Sequence, residues 1–584
     1  MPSGSPSDWL ARAHAFRADD PDPDTQRELD ALLAQADSAT ASELRDRFGE
    51  RLAFGTAGLR GLLGAGDNRM NRRVVAQTTA GLCAYLAASM PDARERGLCV
   101  GFDGRHKSRE LADEVVAIAS GAGFVVHAFD DMAPTPLLAF AVLDRAAAGG
   151  VVITASHNPA AYNGYKVYLA DGAQLGEPHD ARIAQAILAC GPVLGLPRMT
   201  RQAAHAAGRL RSLTQIDARY LSGLRAQLRP QPPQPELRVA YTALHGVGER
   251  LARAALQVAG VRELHSVDAQ AEPDPGFPTV AFPNPEEPGA MDMLLALATD
   301  VRADLAIAND PDADRLAVAA RSAAGGMQVL SGNELGVLLA DYLLTHSPAD
   351  GKSLVVSSIA STPMVGRIAQ AHAARWETTL TGFKWIVQRG LELQAREGLR
   401  FVLGFEEALG YCIGTLVHDK DGIAAAAHAV RMAAWHAGRG ASLHEALETL
   451  YRRHGLFESR QRSITLSGEA GLTKLRASMQ RLRTQPPTRI ADRPVTSRLD
   501  LAAGVRVQGS THSPSALPRS DVLSFELEGA HRVTIRPSGT EPKLKIYLDC
   551  MTELAPNESL LAAQRRVQTI MDEVEHDFVR QARL

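Results

Sequence analysis

Asp310, Asp312 and Asp314 alternate through Asp310-Pro311-Asp312-Ala313-Asp314-Arg315, just after the apolar run Leu305-Ala306-Ile307. In extended backbone, residues i, i+2 and i+4 point the same way. Three carboxylates on one side repel one another, and a bound dication would relieve that repulsion. Mg2+ is a hard cation that takes oxygen ligands near octahedral geometry and commonly shares some with a phosphate. Pro311 and the small Ala313 suit a tight loop rather than a helix. The plain alternative is a solvated acidic turn, and the strand that precedes it favours a metal site.

Two further apolar runs end in polar loops. Val151-Val152-Ile153 leads into Thr154-Ala155-Ser156-His157-Asn158-Pro159, which offers a nucleophile, Ser156, beside His157. A serine hydroxyl needs a base or neighbouring electrostatics to act as a nucleophile, and Ser, Asn and Pro are equally ordinary in a capped turn. The loop is not a G-x-S-x-G elbow, which disfavours a hydrolase triad. Phe401-Val402-Leu403 leads into Gly404-Phe405-Glu406-Glu407-Ala408-Leu409-Gly410, where carboxylates could accept from sugar hydroxyls or mark a helix start. Ligands gather at the carboxyl ends of strands in open α/β sheets, so three such loops point to one shared cleft.

Arg536-Pro537-Ser538-Gly539-Thr540 follows the strand Val533-Thr534-Ile535 and reads as a phosphate cradle. Arg536 supplies a planar fork of donors, Gly539 lets backbone N–H groups approach an anion, and Ser538 and Thr540 add hydroxyls. Lys543 and Lys545 alternate with Leu544, Ile546 and Leu548 beyond it; a turn before a half-exposed edge strand is the other reading. Lys420, in Asp419-Lys420-Asp421-Gly422 before an Ala-rich helix, is either a phosphate contact or a surface residue. Arg60 lies in the Gly-rich loop Gly55-Thr56-Ala57-Gly58-Leu59-Arg60-Gly61, a setting suited to anions.

The elements that must position these loops alternate between short β-rich runs and Ala-rich amphipathic stretches from Phe54 onward, which predicts α/β units. The chain has 584 residues, too many for one core, with 45% hydrophobic and 22% charged residues. A net charge of −3 provides no global basic field for nucleic acid or an anionic membrane. The start of the chain does not read as a signal peptide, and no apolar run is long enough to span a bilayer. Five scattered cysteines without a C-x-x-C pair suit a reducing cytoplasm rather than a disulfide framework. Residues before about 50 read as a short helical extension, with Leu29, Leu32 and Leu33 at helical spacing. Breaks are expected at the proline cluster from Pro230 to Pro235, at Gly325-Gly326 and near Arg453 to Gly455.

Taken in order along the chain, GTAGLRG at 55–61, TASHNP at 154–159, DPDADR at 310–315, GFEEALG at 404–410 and RPSGTEP at 536–542 resemble the five landmark loops of the α-D-phosphohexomutase superfamily. YTALHGVG at 241–248, FPNPEE at 282–287 and TGFKW at 381–385 resemble its longer phosphoglucomutase and phosphopentomutase branch. The resemblance implies an α/β fold with four domains around a central cleft: three related α/β domains and a smaller C-terminal α+β domain. The expected spans are a helical extension over 1–50, a phosphoserine-loop domain over 51–205, a metal-binding domain over 206–324, a sugar-binding domain over 325–455 and a phosphate-binding domain over 456–584.

By motif match, Ser156 carries the phosphoryl group and ligates Mg2+ with Asp310, Asp312 and Asp314. Arg60 and Arg315 neutralise charge, and His157 and Lys166 match positions proposed for proton transfer. Thr381, Gly382, Lys384, Glu406, Glu407, Lys420 and Lys545 join Arg536, Ser538, Gly539 and Thr540 as expected substrate contacts. The implied partner is a small-molecule sugar phosphate, with a sugar bisphosphate such as glucose 1,6-bisphosphate as activator. The implied activity is hexose 1-phosphate to hexose 6-phosphate interconversion, glucose first and mannose next, with phosphopentomutase activity as the alternative. Ala408 and Gly410 stand where other members carry serine and histidine, so sugar recognition by those two side chains does not carry over. A serine-metal phosphatase and a non-catalytic sugar-phosphate sensor are the rivals from other classes. The distal phosphate cradle opposes the first, and the nucleophile with its metal loop opposes the second.

Overall fold

Gly149-Gly150-Val151-Val152-Ile153 carries no polar side chain on either face, and the computed structural model buries all five residues as a strand inside a sheet. The structure describes residues 6–35, 38–55, 58–228, 232, 234–322, 325–466, 468–537 and 543–584. They divide into two compact units, Met1–Leu330 with Ala408–Arg439, and Ser331–Glu407 with Gly440–Leu584. Three α/β domains and a β-rich C-terminal domain make up the chain. No helix among the described residues is long and apolar enough to cross a membrane.

The first unit contains two sheets. One has six strands in the order Leu59–Leu62, Tyr162–Leu169, Gly149–Ile153, Leu98–Phe102, Val126–Ala128, Leu210–Ser212. Its last four strands run parallel, and Tyr162–Leu169 is antiparallel to both neighbours. The register sets Lys166 opposite Val152 and Gly164 opposite Arg60. Gly164 is required there. A Cβ would lie 2.5 Å from the Thr154 carbonyl oxygen and 2.8 Å from that of Leu59, closer than any side chain tolerates.

The second sheet has the order Met327–Leu330, Leu316–Arg321, Leu305–Asn309, Arg238–Thr242, Glu263–Ser266. It runs past Gly325-Gly326, where a hairpin leads to the last strand. Helix Gly422–Ala437 packs against helix Glu249–Ala259 beside it. Asp421 caps the first of these helices by accepting from the N–H groups of Ile423 and Ala424 at 3.1 and 2.9 Å. A Cβ on Gly422 would lie 2.3 Å from the Arg315 carbonyl oxygen, so glycine is what lets this helix start against the loop after Asp314.

Among the described residues the expected helical extension is three helices, Pro6–Asp19, Pro23–Ala34 and Ser38–Phe48. Trp9, Ala13, Phe16, Leu29, Leu44 and Phe48 form their own core with Ala65. Leu29 is fully buried, and Leu32 and Leu33 pack half-buried at its edge. Arg73 binds both Asp19 at 3.2 Å and Asp67 at 3.0 Å, which ties the extension to the first domain.

In the second unit, Arg375–Thr379, Ser353–Ser358 and Arg400–Glu406 pair in that order as parallel strands. The C-terminal domain is antiparallel, in the order Leu456–Thr465, Lys543–Thr552, His531–Pro537, Leu523–Leu527, Arg493–Asp500, Val505–Gln508, Thr511–Pro514. Lys543–Thr552 is therefore interior, paired on both sides, and the half-exposed edge strand considered from its alternating lysines is replaced by a central one. Leu544, Ile546 and Leu548 are fully buried, while Lys543 and Lys545 stay half-exposed. Buried Arg532 binds Asp549 at 2.6 Å and donates to the Ser361 carbonyl at 2.7 Å, joining this domain to the loop after Ser353–Ser358.

Gly164→Ala tests the packing that sets the register of Lys166 and Arg60. Overpacking at such a position costs about 1–3 kcal/mol. The variant should unfold several degrees below the wild type by differential scanning calorimetry and lose activity beyond its loss of folded protein.

Candidate active site

Strand Leu305–Asn309 is buried along its length and delivers Asp310 into the interior of the first unit. Sequence spacing predicts an extended segment with three carboxylates on one face. The structure instead folds 310–314 as a turn, with Ala313 at φ 57°, and the turn brings the carboxylates together. A left-handed residue costs about 1–2 kcal/mol outside glycine, and here it replaces strand alternation as the device that gathers the charges. One ligand oxygen from each aspartate lies within 4.8 Å of the others, and all three residues are buried.

The surroundings compensate the charge. Lys166 reaches from Tyr162–Leu169 to Asp312 at 2.6 Å and Asp314 at 3.1 Å. Lys420 approaches Asp314 at 3.2 Å. The Arg315 N–H donates to Asp310 at 2.9 Å. Thr135, first residue of helix Thr135–Asp144, donates its hydroxyl to the Asp312 carboxylate at 2.7 Å and its N–H to the Asp312 carbonyl at 3.0 Å. Burial works to raise all three carboxyls. At Asp310 burial wins, helped by Asp312 and Asp314, and its affinity for a proton is well above the ordinary value. At Asp312 the Lys166 ammonium overcomes burial, and at Asp314 Lys166, Lys420 and Arg315 overcome burial and the Asp312 charge; both are held below the usual range. Burial opposes the Lys166 charge as well, but Asp312 and Asp314 outweigh it and raise its pKa.

Oδ1 of Asp312 and Oδ1 of Asp314 are buried without a hydrogen-bond partner. Unused anionic oxygens at this spacing are the donor set a hard dication takes, so the residues fit Mg2+. Asp310, Asp312 and Asp314 would hold it, with an oxygen from a phosphorylated Ser156.

Ser156 is buried at the head of its loop with φ 52°, and its N–H donates to Thr154 Oγ1 at 2.9 Å. Its Oγ donates to Asp310 Oδ2 at 2.9 Å and lies 3.4 Å from His157 Nδ1. Burial, then the Arg315 and Arg60 charges, push the His157 pKa down to about 2, so the imidazole is neutral and a weak base. Arg60 extends from Leu59–Leu62 to Asn158 Oδ1 at 2.9 Å, and Arg315 pairs with Glu286 at 3.2 Å. The first unit thus brings together Ser156, His157, Lys166, Arg60, Arg315, Lys420 and the three aspartates.

The other expected contacts belong to the second unit. Gly382 has φ 115° and donates its N–H to Glu406 Oε1 at 2.9 Å. Glu407 accepts from the Ser358 and Ser361 hydroxyls at 2.9 and 3.0 Å, and burial, with Glu406 adding to it, raises its carboxyl to about 7. Both glutamates therefore already hold protein groups. Lys384 is buried at the start of helix Phe383–Glu397, with its ammonium 4.8 Å from the Trp385 ring centroid. Arg536 donates to the Thr381 hydroxyl, stands 5.9 Å from the Tyr547 ring centroid, and is directly opposite Lys545 in the sheet. Adjacent like charges on a sheet face are destabilising, and an anion would relieve them. Ser538, Gly539 and Thr540 lie outside the described residues.

Sequence reasoning missed two residues of the first unit. Arg105 is buried and donates to four carbonyls of the Ser156 loop and its exit. It follows the apolar strand Leu98–Phe102 in Gly101-Phe102-Asp103-Gly104-Arg105, the strand-into-polar-loop signal that found the other loops. Thr135 had no comparable signal, because its partner is 177 residues away.

Residues 51–190 match phosphoglucomutase/phosphomannomutase alpha/beta/alpha domain I, residues 218–325 match domain II and residues 331–454 match domain III. The chain is similar to a phosphopentomutase of Homo sapiens, 33% identical over 557 residues, covering 89% of this chain and 88% of the relative. It is also similar to a phosphoglucomutase of Staphylococcus haemolyticus, 34% identical over 522 residues, covering 89% of this chain and 94% of the relative. The fold resembles the open form of the exocytosis-sensitive phosphoprotein pp63/parafusin, a phosphoglucomutase from Paramecium. That match has a TM-score of 0.67 at 16% identity and covers 91% of this chain and 96% of that one.

Asp312→Asn removes one anionic oxygen and leaves Lys166 less well paired. Titration calorimetry should find Mg2+ affinity lowered at least about tenfold. Unchanged affinity would place the metal elsewhere.

Proposed function

The chain belongs to the phosphoglucomutase/phosphomannomutase family of sugar-phosphate mutases, and on that footing we propose that it interconverts hexose 1-phosphate and hexose 6-phosphate, with glucose as the first sugar and Ser156 as the phosphoryl carrier. The observation that carries this reading is Ser156 Oγ, buried and hydrogen-bonded at 2.9 Å to the aspartate that opens the acidic turn. A nucleophile at that place puts its phosphate beside the unused oxygens of Asp312 and Asp314.

In the working enzyme Ser156 begins as the phosphoserine. The sugar hydroxyl oxygen bonds to phosphorus while the electrons of the Oγ–P bond return to Oγ, and the proton lost by the hydroxyl ends on Oγ. His157 Nδ1, 3.4 Å from Oγ, is assigned to relaying that proton. Lys166, charged and fixed by two carboxylates, neutralises developing charge rather than acting as a base. Arg60 and Arg315 bear on the transferring phosphoryl. A bound Mg2+ supplies charge stabilisation to the phosphate oxygens. Catalysis of this kind is mainly positioning and electrostatics. The product of the first transfer is glucose 1,6-bisphosphate, whose other phosphate then returns to Ser156. Arg536 and Lys545 are assigned to the phosphate that is not reacting, together with Ser538, Gly539 and Thr540, and Thr381, Gly382, Lys384, Glu406, Glu407 and Lys420 to the sugar and its surroundings.

Pentose phosphate is a second reading, favoured by Ala408 and by the likeness to a phosphopentomutase. Ala408 offers no hydroxyl to a sugar, which removes one means of selecting a hexose.

Two measurements test the proposal. Ser156→Ala should fold, lose mutase activity to background, and lack the phosphate adduct that intact-mass analysis finds on the wild type. Side-by-side assays with glucose, mannose and ribose 1-phosphates should give the highest kcat/KM for glucose 1-phosphate. A preference for ribose 1-phosphate would replace the hexose assignment with the pentose one.

A further inference from the structure

We propose that Arg105 is the positioning residue of the nucleophile, fixing Ser156 through the backbone of its loop without touching the substrate. The inference rests on Ser156 being the phosphoryl carrier. Ser156 has φ 52°, a conformation that a non-glycine residue leaves unless something holds it. Two contacts close the turn locally, Ser156 N–H to Thr154 Oγ1 at 2.9 Å and Asn158 N–H to the Ala155 carbonyl at 3.1 Å. Neither anchors the loop to another element.

Arg105 does so. Its Nη2 donates to the carbonyls of Ser156 and Asn158, each at 2.6 Å. Its Nη1 donates to the carbonyls of Pro159 at 3.0 Å and Tyr162 at 3.3 Å. Four carbonyl oxygens turned toward one guanidinium make an electronegative cup that its fork of donors matches. The carbonyl of Ser156 itself is one of them, so the clamp acts on the backbone unit whose dihedral is strained.

The guanidinium is held in its turn. Nε lies 3.3 Å from Asp103 Oδ2, and the Phe277 ring centroid is 4.9 Å from the guanidinium carbon. Asp103 accepts from the Ser108 hydroxyl at 2.6 Å, and Ser108 accepts from Asn163 at 2.9 Å. Asn163 is the second residue of the strand that carries Lys166, so one network sets the nucleophile and the charged partner of Asp312 together. The Arg105 side chain is 1% exposed, which leaves no room for it to reach a ligand.

Lysine is a point charge with a tetrahedral donor set and does not span four acceptors in a fork. Misplacing a reacting group by about 1 Å costs about 10²-fold in rate. Arg105→Lys should therefore lower kcat about 10²-fold per folded enzyme while KM for glucose 1-phosphate stays within about twofold. Mg2+ affinity of the dephosphorylated enzyme by titration calorimetry should be unchanged, because Arg105 hydrogen-bonds to none of the three aspartates. Asp103→Asn, which keeps the arginine but removes its counter-charge, should give a smaller kcat loss with the same unchanged KM. It provides the test should the first variant not fold.

Wild-type kcat in the folded variants would overturn the positioning role. So would a kcat loss matched by an equal loss of folded protein on calorimetry. Peptide mapping of the phosphorylated wild type separates this from the premise. Phosphate on a residue other than Ser156 overturns the carrier assignment, whereas phosphate on Ser156 with wild-type kcat in Arg105→Lys overturns the clamp alone.

Discussion

Three carboxylates buried within one turn repel each other, and the first unit is arranged around making that arrangement tolerable. Lys166 arrives from one sheet, the Arg315 N–H from the turn itself, Lys420 from the approach to helix Gly422–Ala437, and Thr135 from a helix start. Two of these, Lys166 and Lys420, depend on a close packing contact. Gly164 allows the strand of Lys166 to lie between its neighbours, and Gly422 allows its helix to begin against the Arg315 backbone. Truncating a partner of a buried charge is costly because the remaining charge has no water to turn to. The same surplus of negative charge leaves anionic oxygens for a dication, so the electrostatic problem and the proposed catalytic device are one feature.

The second cluster has the opposite character. Arg536 and Lys545 face each other across a strand pair, with Tyr547 beside the guanidinium. Glu406 and Glu407 are fastened by Gly382, Ser358 and Ser361, which fixes the direction of their carboxyl groups for the sugar contact proposed for them. Groups held this way bind with little further ordering cost.

Much of this was legible in the sequence because the signals were local. The short apolar runs Val151-Val152-Ile153, Leu305-Ala306-Ile307 and Phe401-Val402-Leu403, each followed by a polar loop, marked the strands Gly149–Ile153, Leu305–Asn309 and Arg400–Glu406, and each loop carries residues assigned to the site. The aspartate triad was legible as a cluster, but its geometry was not, since spacing by two implies extended backbone and the chain uses a left-handed residue at Ala313 instead. The extension before residue 50 was legible as helical from Leu29, Leu32 and Leu33, while its separate core needed Phe16 and Phe48 to meet across helices. The central position of Lys543–Thr552 was hidden because its two exposed-looking lysines precede a stretch buried on both faces. Arg105 carries the same strand-into-loop signal as the other loops but its partners lie more than fifty residues away, and Thr135, whose partner is 177 residues away, carries no local signal at all.

The central claim is that phosphate reaches the sugar from Ser156 and not from the substrate's own phosphate. A single turnover of unlabelled phosphoenzyme with glucose 1-phosphate carrying oxygen-isotope label in its phosphate tests it directly by mass spectrometry. The account predicts that the glucose 6-phosphate formed is unlabelled and that the label appears on the peptide containing Ser156. Label retained in glucose 6-phosphate, or released as inorganic phosphate, would contradict it.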